Sequence, residues 1–151
     1  MKIYFAHPCF TEEQKEFKNK FLSMLKNRFQ ESGRVKDIII VDPFDHTPVV
    51  ECDPDAKLKM AEEIKIKCLA LLDECDAVIA LADWNDTGTA FEAGYAHAFN
   101  KPVILISREN CSAANAMLVG AAKALIDHVL EESGLERLAD IIEQQSRGFN
   151  D

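Results

Sequence analysis

The sequence has few positive charges and no long apolar run, and both absences limit what the protein binds. Lys and Arg together number 17 against 26 Asp and Glu, which gives a formal net charge of −9. This balance argues against a partner held through many phosphates, such as a nucleic-acid polymer or an anionic membrane. No apolar run approaches the roughly 20 residues that a membrane span needs. The apolar part of the N-terminus is also too short for a signal peptide.

The cysteines do not follow the patterns of disulfide-bonded or zinc-binding proteins. They are odd in number and never spaced as C-x-x-C: Cys9, Cys52, Cys68, Cys75 and Cys111. This argues against a disulfide framework and against a structural zinc site. We therefore expect a soluble, cytoplasmic protein whose 151 residues form one domain.

The short motifs of several common enzyme classes are missing as well. The chain contains neither G-x-x-x-x-G-K-[ST] nor G-x-G-x-x-G, and it has no G-x-S-x-G. The segment His7–Phe10 lacks the hydroxyl and glycine donors that an FMN phosphate requires, and it lacks the paired acids of a phospho-acceptor domain. These absences predict a site built around neither a phosphate nor a metal, and no cofactor.

What the sequence does contain is an alternation of short apolar runs with longer amphipathic stretches. Apolar runs predict strands over Lys2–Ala6, Ile38–Val41, Ala77–Ala82 and Pro102–Ile106, and Ala124–Val129 is either a helix or a fifth strand. Capping and spacing patterns predict helices from Thr11 to Gly33, from Asp53 to Glu74, over Thr87–Phe99, from about Ala113, and over Leu135–Gln145. The segment Pro43–Asp53 is predicted to be a long loop.

Helical spacing also predicts which side chains of the first two long helices are buried. In the first helix these are Phe17, Phe21, Leu25 and Phe29, and in the second Leu58, Ala61, Ile64, Cys68, Leu71 and Leu72. The alternation as a whole predicts an α/β fold, a flavodoxin-like doubly wound parallel sheet of four or five strands with helices on both faces. Ligands of such folds bind outside the carboxyl ends of the strands, so we expect the site in the loops after Ala6, Val41, Ala82 and Ile106.

The most informative stretch is Asp83–Ala96, which leaves the third strand and enters the third helix. Glu92 falls within the first two turns of that helix, where the helix dipole favours a carboxylate by roughly 0.3–1 kcal/mol. Asp86 stands just before the helix, where its side chain is able to project into the same crevice. Both residues also have ordinary explanations, Asp86 as an N-cap and Glu92 as dipole compensation. The residues alone therefore make this segment a candidate site and no more.

A resemblance to a known family gives these residues a function. The segment D-x-G-T-A-F-E-x-G-Y-A, from Asp86 to Ala96, resembles the signature of nucleoside 2-deoxyribosyltransferases. Three further stretches are similar to that family in order and spacing: Ile3–Gln14, Leu69–Ala80 and Asn115–Met117. The similar stretches lie within residues 1 to 120.

The resemblance implies an enzyme that transfers 2-deoxyribose between nucleobases, with retention, through a covalent deoxyribosyl-glutamate. Glu92 would be the nucleophile and Tyr4 its hydrogen-bond partner. Asp86 would hold a sugar hydroxyl or help to protonate the departing base. The chemistry suits these residue types, because breaking the bond from C1′ to the base develops positive charge on the sugar, which a carboxylate stabilises and then traps.

The resemblance also implies substrate contacts and an assembly. The contacts with deoxynucleosides and free nucleobases would be Ala6, Phe10, Phe44, Asp45, His46, Cys68, Asp83, Gly88, Asn115 and Met117. Asn115 and Met117 would reach across an interface, which implies a homo-oligomer, a dimer or an assembly of dimers, with shared active sites.

Cys68 departs from the family, which often has an acid there that contacts or protonates the base. Cys68 is either a small buried apolar residue or a base contact. Without an acid at this position, base protonation falls to Asp86, Asp45 or His46, although the last two also suit an ordinary turn. Trp84 is either a lid over the base or a packed loop aromatic, and His7 and His97 are interpreted as structural.

Two other functions are compatible with the same residues. A hydrolase of the same superfamily that cleaves 2′-deoxynucleoside 5′-monophosphates resembles the chain around Glu92 and Ala116–Ala122, but it has a Gly/Ser/Arg-rich loop where this chain has His7-Pro8-Cys9. A non-catalytic nucleoside-binding domain is the other alternative. Binding alone does not require an oriented nucleophile, which Tyr4, Asp86 and Glu92 together would provide. We therefore expect the transferase.

Overall fold

A five-stranded parallel sheet forms the centre of the fold. The computed structural model describes residues 1–33 and 38–148. The strands are β1 (Lys2–Ala6), β2 (Ile39–Val41), β3 (Ala77–Leu81), β4 (Val103–Ile106) and β5 (Ala124–Ile126). The helices are α1 (Glu12–Ser32), α2 (Pro54–Asp73), α3 (Thr87–Ala98), α4 (Ala116–Ala121) and α5 (Glu132–Gly148). Short 3₁₀ turns cover Pro43–Asp45, Asp83–Asn85 and Cys111–Ala113.

The strand order confirms the predicted fold class. The sheet runs β2-β1-β3-β4-β5 with every pairing parallel. The chain moves from β1 to β2 on one side and then returns to place β3 on the other side of β1. This is the flavodoxin-like order, and its reversal lies between β1 and β3.

Alternate residues of β1 face opposite helical layers, as the period of a strand requires. Ile3 and Phe5 belong to the core cluster that α1 and α5 cover, together with Phe21 and Leu138. Tyr4 and Ala6 point to the other face, where α2, α3 and α4 lie. The sheet therefore buries both faces, and the second face carries the phenol of Tyr4 toward α3.

Local capping explains where α1 begins and ends and where α2 begins. Thr11 accepts a hydrogen bond from the backbone of Gln14, whose side chain accepts from the backbone of Thr11, so the predicted capping box is confirmed. Gly33 ends α1 with φ of 57°, a left-handed conformation that glycine adopts without strain. Asp53 caps α2 through the backbone N–H groups of Asp55 and Ala56, as predicted.

The prediction that the apolar side chains in the first turns of α2 are buried is wrong. Leu72 is buried, but Leu58 is 83% exposed and Ala61 is exposed too. The helix has 20 residues and spans about 30 Å, whereas a strand of five residues spans about 17 Å, so the first turns of α2 extend past the sheet. Ile64, Cys68 and Leu71 are partly buried.

Three predicted boundaries need correction. Residues 124–126 form the edge strand β5, which settles the ambiguity between helix and strand. The fourth helix begins at Ala116 and not near Ala113, because Asn115 caps it by accepting from the backbone of Met117. The last helix begins at Glu132, one turn before its first apolar residue, where a carboxylate suits the helix dipole. Among the described residues, no helix has the length and apolar character needed to cross a membrane.

Candidate active site

A cavity of about 150 Å³ opens beside the point where the strand order reverses. Four segments line it. The loop after β1 supplies His7 and Phe10, the loop after β2 supplies Pro43, Phe44, Thr47, Pro48, Val50 and Glu51, α2 supplies Ile64 and Cys68, and the start of α3 supplies Asp86, Gly88, Thr89 and Glu92. Of the four loops in which the site was predicted, those after Ala6, Val41 and Ala82 contribute to the described lining, and the loop after Ile106 does not.

The centre of the site is a hydrogen bond between two residues 88 positions apart. Tyr4 Oη donates to Glu92 Oε1 over 2.6 Å, a short distance typical of a bond to a charged oxygen. Tyr4 is fully buried in β1, so its ring is held by the core, and Glu92 is partly exposed in the second turn of α3. The sheet therefore fixes the direction of a carboxylate that borders the cavity.

The surroundings of this pair determine its protonation. Burial raises the pKa of Glu92 to about 7; the hydrogen bond from Tyr4 lowers it, and the charges of Asp86 and Asp42 raise it. Burial and the charge of Glu92 also raise the pKa of Tyr4 far above its ordinary value. The phenol therefore keeps its proton and remains the donor, while Glu92 changes charge near neutral pH.

Asp86 caps α3 and also lines the cavity. Its Oδ2 accepts hydrogen bonds from the backbone N–H of Thr89 at 2.7 Å and from the Thr89 hydroxyl at 2.8 Å. A Cβ at Gly88 would lie 3.2 Å from the same oxygen, a tight contact that glycine avoids. The sequence left open whether Asp86 is an N-cap or a residue of the site. The structure shows both, because one carboxyl oxygen caps the helix and the same side chain lines the cavity.

Cys68 faces the cavity from α2 and is partly buried. Burial and the nearby charge of Glu92 raise the pKa of its thiol, so the sulfur is neutral at physiological pH. A neutral thiol is a weak hydrogen-bond donor and a poor acid compared with a carboxyl group.

A buried ionic cluster supports the wall formed by the loops after β1 and β2. His7 Nε2 lies 3.1 Å from Asp42 Oδ1, and Lys18 Nζ lies 3.1 Å from Asp42 Oδ2. Burial opposes ionisation of Asp42, but its bonds to His7, to the backbone of Phe44 and to Lys18 together hold its pKa at about 2. The His7 ring stacks on Phe5, with ring centroids 4.1 Å apart, and its ring centroid is 5.2 Å from that of Phe44. His7 thus serves a structural role, as interpreted from the sequence, while it also lines the cavity.

The structure brings together only part of the predicted site. The cavity is lined by Phe10, Phe44, Cys68, Asp86, Gly88 and Glu92. Tyr4 is buried behind the lining and reaches it through its bond to Glu92, and Ala6 is buried at the end of β1. Asp45 and His46 are exposed and outside the lining, and so are Asn115 and the 83% exposed Met117. Whether these residues contact substrate remains a prediction.

Asp83 and Trp84 belong to a separate contact that shapes the loop after β3. Asp83 accepts from the backbone and from Nε of Arg108, at 3.0 and 3.1 Å. The Arg108 guanidinium lies 4.2 Å from the centre of the Trp84 ring, whose edge meets Phe17. Trp84 is therefore a packed loop aromatic, and the contact fixes the turn that precedes the cap of α3.

Sequence reasoning missed several residues of the lining. They are Thr47, Pro48, Val50 and Glu51 in the loop after β2, Ile64 in α2 and Thr89 in α3. The sequence predicts substrate contacts at Phe44, Asp45 and His46 in the loop after Val41, but it assigns none to the part of this loop beyond His46. The position of this loop, at the carboxyl end of the strand beside β1, is the signal that identifies it.

A second, larger groove carries no comparable arrangement. It has a volume of about 410 Å³ and lies between α1 and the strand edge at β2, where the described lining is Leu22, Leu25, Lys26, Phe29, Gln30, Ile38 and Ile40. Among the residues that the structure describes, no group of three or more His, Cys, Asp or Glu side chains is arranged to hold a metal ion.

Comparisons with known proteins relate the chain to a family and to solved structures. A family model described as nucleoside 2-deoxyribosyltransferase matches residues 3–139. A conserved protein from Enterococcus faecalis V583 has a similar structure, with a TM-score of 0.69 and 21% identity over 96% of this chain and 98% of that chain. A 2-deoxyribosyltransferase from Bacillus psychrosaccharolyticus follows, with a TM-score of 0.61 and 24% identity over 89% of this chain and 96% of that chain. At these identities the two structures show the shared fold. No curated protein sequence matches the chain.

Proposed function

Because the chain belongs to the nucleoside 2-deoxyribosyltransferase family, we propose that it transfers 2-deoxyribose from a deoxynucleoside to a free nucleobase, with Glu92 as the nucleophile. The observation that carries this proposal is the 2.6 Å hydrogen bond from Tyr4 to Glu92 at the edge of the cavity. A binding domain would gain nothing from a desolvated carboxylate aimed by a buried phenol, whereas a covalent mechanism requires one.

The proposed reaction has two displacements. Glu92 Oε2, the oxygen that Tyr4 does not engage, attacks C1′ while the bond from C1′ to the base nitrogen breaks and its electron pair leaves with the base. A nitrogen of the second base then attacks C1′, and the ester electron pair returns to Glu92. The departing base gains one proton and the incoming base gives one up, so exchange consumes none. Two inversions give net retention.

Asp86 is suited to the sugar in this arrangement. Both hydrogen bonds from Thr89 reach Oδ2, which leaves Oδ1 to accept from a hydroxyl of the deoxyribose. Asp86 precedes Glu92 by about 1.7 turns, so the cap and the second turn of one helix carry the two carboxylates. The sugar then lies against α3, between the two groups.

The charge of the cavity favours an uncharged nucleoside over a 5′-monophosphate. Among the described residues that line it are three carboxylates, Glu51, Asp86 and Glu92, and no Lys or Arg. Both ring nitrogens of the lining His7 face other partners, Pro8 O and Asp42. A phosphate would therefore meet negative charge with no lysine or arginine among the described lining residues to bind it.

We also propose that a second copy of the chain completes the site. A volume of about 150 Å³ is below the roughly 300–1,000 Å³ of pockets that enclose a drug-sized ligand. Met117, close to the cap residue Asn115, is 83% exposed in the isolated chain. Such exposure is expected of an apolar side chain that enters the cavity of a neighbouring copy. Light scattering that finds only monomers at the concentrations of the activity assay would contradict this part of the proposal.

One incubation series tests the proposed function. The protein is mixed with deoxyinosine or with deoxyinosine monophosphate, each with and without excess adenine, and products are separated by chromatography. We expect deoxyadenosine from deoxyinosine only when adenine is present. Free deoxyribose phosphate from the monophosphate would instead indicate the hydrolase, and binding without turnover would indicate a non-catalytic domain.

Replacing Asp86 separates its two roles. Asp86→Ala removes the cap of α3 and is expected to lower the free energy of unfolding by about 1 kcal/mol. It also removes the sugar contact, so kcat/KM for exchange should fall by about tenfold or more. Urea unfolding and initial exchange rates measure the two effects.

Asp53→Ala is the matched control for Asp86→Ala, because Asp53 caps α2 in the same way and lies outside the cavity lining. It should cost a similar free energy of unfolding and leave exchange unchanged. Equal losses of exchange in the two variants would mean that Asp86 acts only as a cap.

Replacing Cys68 tests whether the thiol takes part in proton transfer. Because burial keeps the thiol neutral and it is a poor acid, Cys68→Ala should retain exchange within about threefold of the parent. Initial rates at pH 6 and pH 8 measure this. A loss of a hundredfold with unchanged thermal stability would assign the proton transfer to Cys68 after all.

A further inference from the structure

The cavity has two walls that differ in chemistry. The helix wall consists of Asp86, Gly88, Thr89 and Glu92 at the start of α3, and the loop wall consists of Phe44, Thr47, Pro48, Val50 and Glu51 between β2 and α2. Because C1′ has to lie at Glu92, the sugar occupies the helix wall. The base is then directed to the rest of the cavity, where Phe44 and Phe10 present aromatic rings with centroids 5.6 Å apart.

The loop wall offers few polar groups to a base. The Thr47 hydroxyl donates to Pro43 O over 3.0 Å, so its proton is already engaged. Glu51 is the ionisable residue among the described members of this wall. Its Oε2 lies 2.7 Å from Lys57 Nζ in the first turn of α2, and the side chain is 44% exposed. The ion pair ties one carboxyl oxygen of Glu51 to α2 and leaves Oε1 to bind a ligand.

We propose that Glu51 is a specificity-determining residue that accepts a hydrogen bond from an exocyclic amino group of the base. An ionised carboxylate has acceptors and no donor, so it selects a base edge that carries N–H groups. Adenine and cytosine present such an amino group, and they are therefore preferred over the same rings without it. Cys68, which the sequence left as a possible base contact, is a neutral thiol in the same lining and does not compete for this role.

The expected discrimination is about tenfold or more in kcat/KM. A base that lacks the amino group leaves the Glu51 carboxylate without a hydrogen-bond partner in the complex. Leaving a charged group unpaired weakens binding more than losing a hydrogen bond between two uncharged groups does. The inference rests on the proposed function for the position of the sugar. It goes beyond that function because it names the part of the base that is recognised.

Deoxyadenosine and purine 2′-deoxyriboside test this directly, because they differ in one amino group. The measured quantity is the kcat/KM of deoxyadenosine divided by that of purine 2′-deoxyriboside, each as the sugar donor in exchange. This ratio is compared between variants, because the two rings also differ in intrinsic reactivity. We expect Glu51→Ala to reduce the ratio by about tenfold, and Glu51→Gln, which keeps an uncharged acceptor, to fall between Glu51→Ala and the parent. Glu63→Ala is the matched control, because Glu63 is an exposed carboxylate paired with Lys67 outside the cavity lining.

A binding measurement separates the failure of this inference from the failure of the proposed function. Dissociation constants of both nucleosides are measured by calorimetry in a Glu92→Ala background, where turnover is blocked, with and without Glu51→Ala. A ratio that Glu51→Ala leaves unchanged in both assays overturns the inference, although exchange by the parent protein would still support the transferase. If the parent does not exchange bases but the binding preference depends on Glu51, the proposed function fails and the assignment of Glu51 stands. Absence of binding by both nucleosides overturns both.

Discussion

Glu92→Gln is expected to reduce deoxyribosyl exchange by at least about 10⁴-fold, the largest effect of any single substitution in this chain. The amide matches the carboxylate in size and still accepts a hydrogen bond from Tyr4, so the geometry of the site is kept. It lacks the negative charge that stabilises the developing cation and the nucleophilic oxygen that traps it. Exchange of labelled adenine into deoxyadenosine measures the residual rate down to the background.

The same substitution should make the protein more stable above neutral pH. A variant that is inactive and yet more stable has lost its activity through the missing nucleophile and not through unfolding. Since the folded-state pKa of Glu92 is raised from 4.5 to about 7, the folded state holds this proton more tightly than the unfolded state. Stability therefore falls as pH rises from about 4.5 to about 7, and the cost is fully present at pH 8. Glu92→Gln removes that cost, and we expect a gain of about 1–3 kcal/mol at pH 8.

Glu62→Gln is the control for both measurements, because Glu62 is exposed on α2 outside the cavity lining. It should change neither exchange nor the pH dependence of stability. Exchange by Glu92→Gln at more than a tenth of the parental rate would show that another group is the nucleophile.

Local patterns in the sequence determined much of the fold correctly because the interactions behind them are local. The capping box of Thr11 and Gln14 and the cap by Asp53 depend on neighbours within three positions, and both form as predicted. The burial of Leu58 depends on how far the sheet extends beneath α2. The spacing of apolar residues within α2 contains no information on that extent. The prediction failed there, with Leu58 83% exposed.

The site shows the same division between local and long-range interactions. Glu92 and Asp86 were predicted as site residues because one short segment that resembles a family signature contains both, and the structure places both in the lining of the cavity. The contact of His7 with Asp42 spans 35 positions and exists because β1 and β2 are adjacent in the sheet. Glu51 lines the cavity from the irregular part of the loop between β2 and α2. Such residues become visible only once the strand order is known.

Tyr4→Phe is expected to move the pH dependence of exchange and to lower its maximum. In the parent protein, kcat/KM should rise about tenfold per pH unit up to an inflection near pH 7, because the ionised form of Glu92 attacks and its pKa is about 7. Removal of the Tyr4 hydroxyl takes away a hydrogen bond that favours the ionised form. The inflection should therefore shift upward by about one pH unit, and the plateau should fall about tenfold since the carboxylate is no longer aimed.

The two effects of Tyr4→Phe multiply at low pH, which gives about a hundredfold loss at pH 6 and about a tenfold loss at pH 9. Tyr95→Phe supplies a matched control, because Tyr95 Oη also donates to a carboxylate, Asp73 Oδ1 at 3.0 Å, from the same helix that carries Glu92. Its pH profile should coincide with that of the parent. A Tyr4→Phe profile that keeps the parental inflection and loses activity equally at every pH would mean that the phenol only positions Glu92, and that the hydrogen bond does not determine when the nucleophile is ionised.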